Sequence, residues 1–150
     1  MIKILIDADA CPVKDETYKV ALRHQVPVIL VANSFLRVPA HPLLKLVTVS
    51  DGFDAADDHI AGLANAKSVV VTADILLAER ALKAAAIVLN HTGKSFTENS
   101  IGSAIATRAI MADLRAGGDQ VGGAAPFSKA DRSRYLSALD EALNRLKRMS

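Results

Sequence analysis

The chain has 150 residues, of which 51% are hydrophobic and 23% charged, and its formal net charge is +2. This composition is typical of a folded protein and excludes an intrinsically disordered chain, and the length predicts one domain over residues 1–150. No apolar run reaches the roughly 18 residues of a membrane span and no signal peptide is visible, so we expect no membrane association. Cys11 is the only cysteine and cannot form a disulfide within the chain, which favours a reducing compartment and a cytoplasmic location.

Strand-like and helix-like patterns alternate along the chain. Continuous apolar runs predict five strands, at Ile2–Ile6, Val28–Val31, Leu46–Val49, Ser68–Thr72 and Ile87–Leu89. Helical patterns occur at Val13–His24, Phe53–Asn65, Ile75–Ala85 and Ile101–Arg115, and a last helix begins at Ser128. The alternation predicts an α/β fold, a three-layer sandwich with a central parallel sheet of about five strands and with two C-terminal helices.

The two predicted C-terminal helices carry their own end signals. Asn99 or Ser100 can cap the first helix, and Ser128 with Asp131 resembles a capping box for the second. The last helix carries one apolar stripe, made of Leu136, Leu139, Leu143 and Leu146. We expect this stripe to pack on the body of the protein, with a homodimer seam as the alternative. The glycine-containing stretch 119–127 between the helices is predicted to be a loop, either a linker or a cover over substrate.

Acidic and amide side chains follow four of the predicted strands. They are Asp7 and Asp9 after the first strand, Asn33 after the second, Asp51 after the third and Asp74 after the fourth. In a parallel sheet these strand ends share one edge, which is where open α/β folds bind their ligands. Asp54, Asp57 and Asp58 begin the next helix, and helical geometry turns Asp57 nearest to its packed face and Asp58 nearest to solvent.

The convergence of these carboxylates predicts a site for Mg²⁺ or Mn²⁺. Nearby carboxylates repel one another, and both ions prefer oxygen ligands. An Asp near a helix N-terminus is favoured by the helix dipole, which explains Asp54 or Asp58 alone, and Asp9 equally fits a helix cap. A cap does not explain why Asp7 and Asp74 converge. One or two divalent ions there could polarise a phosphodiester and activate an attacking water.

Three segments of the chain resemble a known family. They are Leu5–Lys14, Gly52–Asp57 and Val71–Ala78. They are similar to the YaiI/YqxD family of bacterial proteins, and the resemblance runs essentially end to end, including Gly122-Gly123 and Pro126–Ser128. The family in turn resembles PIN-domain and NYN-type nucleases.

The PIN-like resemblance implies a fold, a cofactor and an activity. PIN nucleases have an Asp after the first strand, an acid early in a middle helix and a Thr-x-Asp after the fourth strand, and Asp7, Asp57 and Thr72–Asp74 match in that order. Asp9 and Asp54 have looser counterparts. The resemblance implies one PIN-like domain with strand order 3-2-1-4-5 and a ribonuclease in which Asp7, Asp57 and Asp74 are catalytic and all five acids bind Mg²⁺ or Mn²⁺. An acid that often follows the fourth-strand Asp is replaced by apolar residues, so the number of metals stays open.

Two other functions fit parts of the same pattern. A haloacid-dehalogenase-like phosphatase would use Asp7 as its nucleophile and Asp9 as its general acid. That class also needs paired acids after the fourth strand, where this chain has only Asp74. A non-catalytic module that binds RNA or protein through the acidic pocket is the third hypothesis.

Four further residues are candidates for orienting water or binding the RNA substrate. Asn33 and Thr72 follow strands and could orient a metal-bound water. Arg37 lies in the loop after the second strand, where it could meet a phosphate, although a solvated loop charge is the preferred explanation. Arg108 lies within an apolar helical stretch and could pair with one of the acids.

Overall fold

The computed structural model describes residues 1–9, 11–50, 55–103 and 127–149. The strands are β1 (Lys3–Asp7), β2 (Val28–Ala32), β3 (Leu44–Thr48), β4 (Ser68–Val71) and β5 (Ile87–Leu89). The helices are α1 (Lys14–His24), α2 (Ala55–Leu63), α3 (Ile75–Lys83), the described part of α4 (98–103) and α5 (Lys129–Met149). Every predicted strand and helix therefore has a counterpart, and most of the described ends agree closely.

The five strands form one parallel sheet in the order β3-β2-β1-β4-β5. This confirms the expected α/β fold and the strand order that the family resemblance implied. β1 occupies the centre, where Ile4, Leu5 and Ile6 are fully buried, as expected for a parallel strand covered on both faces. Ile6 pairs with Val71, so the residues that follow β1 and β4 are neighbours at the carboxyl edge of the sheet.

The core lies on both faces of this sheet. Ile4 and Ile6 belong to one apolar cluster, which also contains the buried residues of α1 and α5. Leu5 belongs to a second cluster, which contains the buried residues of α2 and α3. Because successive side chains of a strand point to opposite faces, β1 contributes to both clusters, as β2, β4 and β5 also do, and the result is a three-layer α/β sandwich.

α5 packs along α1 in the same direction. The hydroxyl oxygens of Tyr135 and Thr17 are 2.6 Å apart near the start of both helices. His24 Nε2 and Asp140 Oδ1 are also 2.6 Å apart, at the end of α1. Since α1 starts at the carboxyl edge of the sheet, the N-terminal half of α5 lies at that edge and its C-terminus lies at the opposite one.

The caps of α4 and α5 test two predictions. The Ser100 N–H donates to Thr97 Oγ1 at 3.1 Å and the Thr97 N–H donates to Ser100 Oγ at 2.8 Å. Thr97 therefore caps α4, and the prediction of Asn99 or Ser100 was wrong. The capping box of α5 is confirmed, because the Ser128 N–H donates to Asp131 Oδ2 at 3.0 Å and the Asp131 N–H donates to Ser128 Oγ at 3.1 Å.

The apolar stripe of α5 packs on the body of the protein, as expected, but with one change. Leu139, Leu143 and Leu146 are buried, whereas Leu136 is 36% exposed and Tyr135 takes the buried position beside it.

No helix within the described ranges has the length and apolarity needed to cross a membrane. Of the predicted loop at 119–127, only Phe127 lies within the described residues.

Candidate functional site

Three polar residues meet where β1 and β4 end. Asp7 is the last residue of β1, Thr72 directly follows β4, and Asp74 is the N-cap of α3. The hydroxyl of Thr72 donates a hydrogen bond to Asp7 Oδ2 at 3.0 Å, and the backbone N–H of Asp74 donates to Thr72 Oγ1 at 3.0 Å. Thr72 is fully buried, so its hydroxyl links the two acidic residues within the protein and holds one oxygen of Asp7 in place.

Asp7 is half-buried, and its surroundings oppose its negative charge. Burial raises the pKa of its carboxyl above the ordinary value of 3.8, and the hydrogen bond from Thr72 offsets part of this effect. The negative charges of Asp74 and Asp9 raise the pKa further, which means that both carboxylates lie close enough to Asp7 to act on it. A bound cation would relieve this repulsion.

Asp9 is exposed and is held by the start of the loop after β2. The backbone N–H of Asn33 donates to both carboxylate oxygens of Asp9, at 3.1 and 2.9 Å. The side-chain amide of Asn33 donates to the carbonyl oxygen of Ser50 at 2.8 Å. Asn33 therefore joins the ends of three strands. Its side chain is held by a structural hydrogen bond, and the water-orienting role stays a prediction.

Asp74 caps α3 as well as facing Asp7. Its Oδ1 accepts hydrogen bonds from the backbone N–H groups of Leu76 at 2.9 Å and Leu77 at 3.3 Å. Within the described part of the chain, its Oδ2 receives no hydrogen bond and has its lone pairs available. Oδ1 of Asp74 thus caps the helix, and Oδ2 can bind a ligand.

α2 presents Asp57 and Asp58 differently, as its periodicity predicted. Asp57 is half-buried. Asp58 is exposed and accepts a hydrogen bond from Arg80 Nη1 at 2.8 Å, which is a surface ion pair. Asp54 lies outside the described residues. Among the residues that the structure describes, no group of three or more His, Cys, Asp or Glu side chains is arranged to hold a metal ion.

The structure does not bring the predicted substrate-binding residues together in one place. Thr72 lies within the site, bound to Asp7. Arg37 is exposed on the loop between β2 and β3, where it lines a groove together with Lys14 and Tyr18 of α1. Arg108 lies outside the described residues. The sequence analysis missed Lys14 and Tyr18, although a helix that begins just after β1 must bring its first turn to the carboxyl edge.

The family model described as "Uncharacterized BCR, YaiI/YqxD family" matches residues 5–145. The chain is 70% identical to a UPF0178 protein of Sphingopyxis alaskensis, over 97% of this chain and 95% of that protein. It is 61% identical to a UPF0178 protein of Jannaschia, over 96% and 94% of the two chains. It is 54% identical to the UPF0178 protein RPA2191 of Rhodopseudomonas palustris, over 99% and 94%.

Among solved structures, the chain is similar to ChuY, an anaerobillin reductase from Escherichia coli O157:H7. The TM-score is 0.39 and the identity is 16%, over 93% of this chain and 66% of that chain. A similarity at this level supports no statement about the site, because one α/β fold hosts many unrelated activities.

Proposed function

The chain belongs to the YaiI/YqxD family, and we propose that it is a ribonuclease that hydrolyses RNA phosphodiesters with Mg²⁺ or Mn²⁺. The observation that carries the proposal is the arrangement of Asp7, Thr72 and Asp74 at the carboxyl edge of the sheet. A half-buried carboxylate is held next to a second carboxylate in a place where its own charge is disfavoured. Unpaired, like-charged groups of this kind cost stability, and they are typical of functional sites.

The donor set fits a hard divalent cation. Mg²⁺ keeps several of its waters and is commonly bound by one or two carboxylates together with substrate phosphates, so a cage of three protein ligands is not required. Asp7 and Asp74 would hold the ion directly, and Asp9, Asp54 and Asp57 would contribute from around them. When bound, the ion would activate an attacking water and stabilise the departing oxygen of the phosphodiester.

The protein's own residues set the geometry of this site. The hydroxyl proton of Thr72 is directed at Asp7 Oδ2, which leaves Oδ1 of Asp7 to bind the cation. Capping of α3 fixes Oδ1 of Asp74 and leaves its Oδ2 for the same purpose. Asp57 lies on α2, which packs against β1, and its half-buried position suits a group that orients water.

Cleavage of labelled RNA with Mn²⁺ tests the proposal. Asp7→Asn and Asp74→Asn should each lower the cleavage rate by at least about 100-fold, because loss of a direct ligand exceeds the effect of losing an outer-shell partner. EDTA should abolish cleavage by the wild type. Asp57→Asn should also impair it, while Asp58→Asn is the matched control, because Asp58 lies on the same helix but pairs with Arg80 at the surface.

The outcomes of this experiment separate the three hypotheses. Equal cleavage by the wild type and the Asp7 and Asp74 variants would contradict the site. Release of free phosphate from small phosphomonoesters, lost in Asp7→Asn, would favour the haloacid-dehalogenase-like phosphatase. RNA binding without either product would favour a non-catalytic module.

A cytoplasmic location and a homodimer are further parts of the proposal. Cys11 is a free, buried thiol, which is compatible with a reducing compartment. A homodimer would use the exposed edge of the α5 stripe at Leu136, and sedimentation of the wild type against Leu136→Lys tests it. Identical monomer sedimentation of both proteins would contradict the dimer.

A further inference from the structure

A groove with a volume of about 590 Å³ lies between the first turns of α1 and the loop that joins β2 to β3. It is lined by Lys14, Asp15, Tyr18 and residues 37–40, and we call it the α1 groove. Its size is within the range of small-molecule sites, roughly 300–1,000 Å³. The loop that forms one wall starts at Asn33, whose N–H binds Asp9, and α1 starts shortly after β1, so both walls of the groove connect to the carboxyl edge where the carboxylates lie.

Tyr18 lacks a hydrogen-bond partner in this groove. It is only 7% exposed, and its hydroxyl oxygen has no partner among the described residues. The other tyrosine, Tyr135, is fully buried and shares a hydrogen bond with Thr17, as buried hydroxyls normally do. Burial and the neighbouring Asp15 raise the pKa of Tyr18, so at neutral pH its hydroxyl keeps its proton and can donate it.

The charges around Tyr18 favour an anion. Lys14 and Arg37 line the groove, and neither forms an ion pair within the described part of the chain. Val13, the N-cap of α1, makes no side-chain capping hydrogen bond. Among the described residues that line the groove, Asp15 is the one acid, and it opposes an anion. Two cations and a buried hydroxyl donor outweigh that single carboxylate.

The loop wall also presents an aromatic side chain. Phe35 is 81% exposed, which is unusual for a large apolar residue that neighbours a candidate site. Exposure alternates along the loop, with Phe35 and Arg37 outward and Leu36 and Val38 packed against the core. Phe35 and Arg37 are therefore both exposed on this loop, two residues apart. An exposed aromatic ring and a cation on one loop are the groups with which proteins stack an unpaired base and hold its phosphate.

We propose that the α1 groove binds the nucleotide that flanks the cleaved phosphodiester, with its phosphate on Lys14, Arg37 and the hydroxyl of Tyr18 and its base on Phe35. The assignment of this nucleotide to an RNA strand rests on the proposed ribonuclease function. The groove itself does not rest on that function, because its cations, its unpaired hydroxyl and the exposed ring of Phe35 on the adjoining loop are observed separately from the carboxylates.

Anisotropy of a labelled, unstructured RNA of about ten nucleotides tests the groove, measured in EDTA so that binding is independent of cleavage. Phe35→Ala should weaken binding at least about fivefold, the lower end for one stacked base. Arg37→Gln should weaken it about three- to tenfold and reduce the slope of log affinity against log salt by about 0.7. Matched controls are Lys19→Gln, an exposed cation of the same helix, and Met149→Ala, which is 68% exposed at the far edge.

Tyr18→Phe gives the most specific result. Because it removes a buried hydroxyl that has no partner, the free protein should keep or gain thermal stability. Its affinity for RNA should nevertheless fall about three- to tenfold, the value of one hydrogen bond. A merely structural role would move stability and leave the affinity of the folded protein unchanged.

Failure of the groove and failure of the nuclease are distinguishable. Equal RNA affinity for groove variants and controls, or no RNA binding by the wild type, would overturn the groove even if Asp7→Asn abolishes cleavage. Groove-dependent binding without any cleavage would support the groove and contradict the nuclease. Binding of adenosine monophosphate as tight as that of the RNA would overturn the assignment to a strand.

Discussion

The carboxyl edge of the sheet and the α1–α5 interface treat polar groups in opposite ways. At the interface, Tyr135 meets Thr17 and His24 meets Asp140, so these polar groups find partners across two helices, although Oε2 of Glu16 is buried without one. At the edge, Asp7 has one hydrogen bond and carboxylate neighbours that oppose its charge. The interface therefore pairs polar groups with each other, whereas the edge disfavours the charge of Asp7, a repulsion that a bound cation would relieve.

This contrast predicts that substitutions in the two regions change stability with opposite sign. Removing a partner from the interface leaves a cavity or an unpaired group, which costs free energy. Removing a charge from the edge relieves a conflict, which raises the free energy of unfolding at the expense of activity. Four measurements test the contrast, in order of expected size.

Tyr135→Ala should lower the free energy of unfolding by about 3–5 kcal/mol, because it removes a fully buried ring. Tyr135→Phe should lower it by only about 0.5–1.5 kcal/mol, because Thr17 still donates to the Val13 carbonyl at 2.8 Å. Urea denaturation measures both. Equal losses for the two variants would show that the hydroxyl pair, and not the ring, dominates this part of the interface.

Mn²⁺ at 100 times its dissociation constant should raise the free energy of unfolding of the wild type by about 2.7 kcal/mol. Asp7→Asn and Asp74→Asn should lose most of this increase, since both remove a carboxylate of the proposed site. Asp58→Asn should keep it, because Asp58 pairs with Arg80 at the surface. Thermal denaturation with and without the ion checks this, and an increase retained in Asp7→Asn would contradict the placement of the metal.

Asp7→Asn without metal should raise the free energy of unfolding by about 0.5–2 kcal/mol. The substitution removes a disfavoured negative charge, while the amide oxygen of Asn can still accept the hydrogen bond from Thr72. Chemical denaturation in EDTA measures the change. A less stable variant would show that the charge of Asp7 contributes to the fold through its hydrogen bond.

The gain from Asp7→Asn should depend on pH. Because the pKa of Asp7 is raised in the folded state, protonation favours folding, and the stabilising contribution is fully present below the ordinary value of 3.8. It is lost as the pH rises from that value through the raised pKa. The stability difference between Asp7→Asn and the wild type, measured in EDTA, should therefore be largest at neutral pH and shrink in acid. A difference that grows in acid would contradict the direction of the shift.

The fold was predictable because its signals are local and strong. The run Ile4–Ile6 is buried on both faces of the sheet, and a continuous apolar run predicts such a strand. The convergence of Asp7 and Asp74 followed from parallel strands alone, since all their carboxyl ends share an edge. Helical geometry correctly predicted that Asp58 faces solvent. The strand order came from the family resemblance, because the strand patterns do not say which strands pair.

The predictions that failed depend on competition between neighbouring residues. Thr97, Asn99 and Ser100 can all cap a helix, and the reciprocal hydrogen bonds of Thr97 and Ser100 decide the first turn of α4. Leu136 and Tyr135 compete for one buried position, and the larger ring with its partner on α1 takes it. Both outcomes depend on geometry at the scale of one residue, which sequence periodicity does not resolve.

The sequence by itself determined the sheet, its layers and the edge at which the carboxylates gather, because burial of apolar runs and the direction of parallel strands decide them. Only the tertiary structure decided which polar groups are satisfied. It gave Tyr135 a partner and left Tyr18 without one, and it directed the hydroxyl of Thr72 at Asp7. The physical reason is that a hydrogen bond needs two atoms within about 3 Å, and those atoms come from segments far apart in the chain.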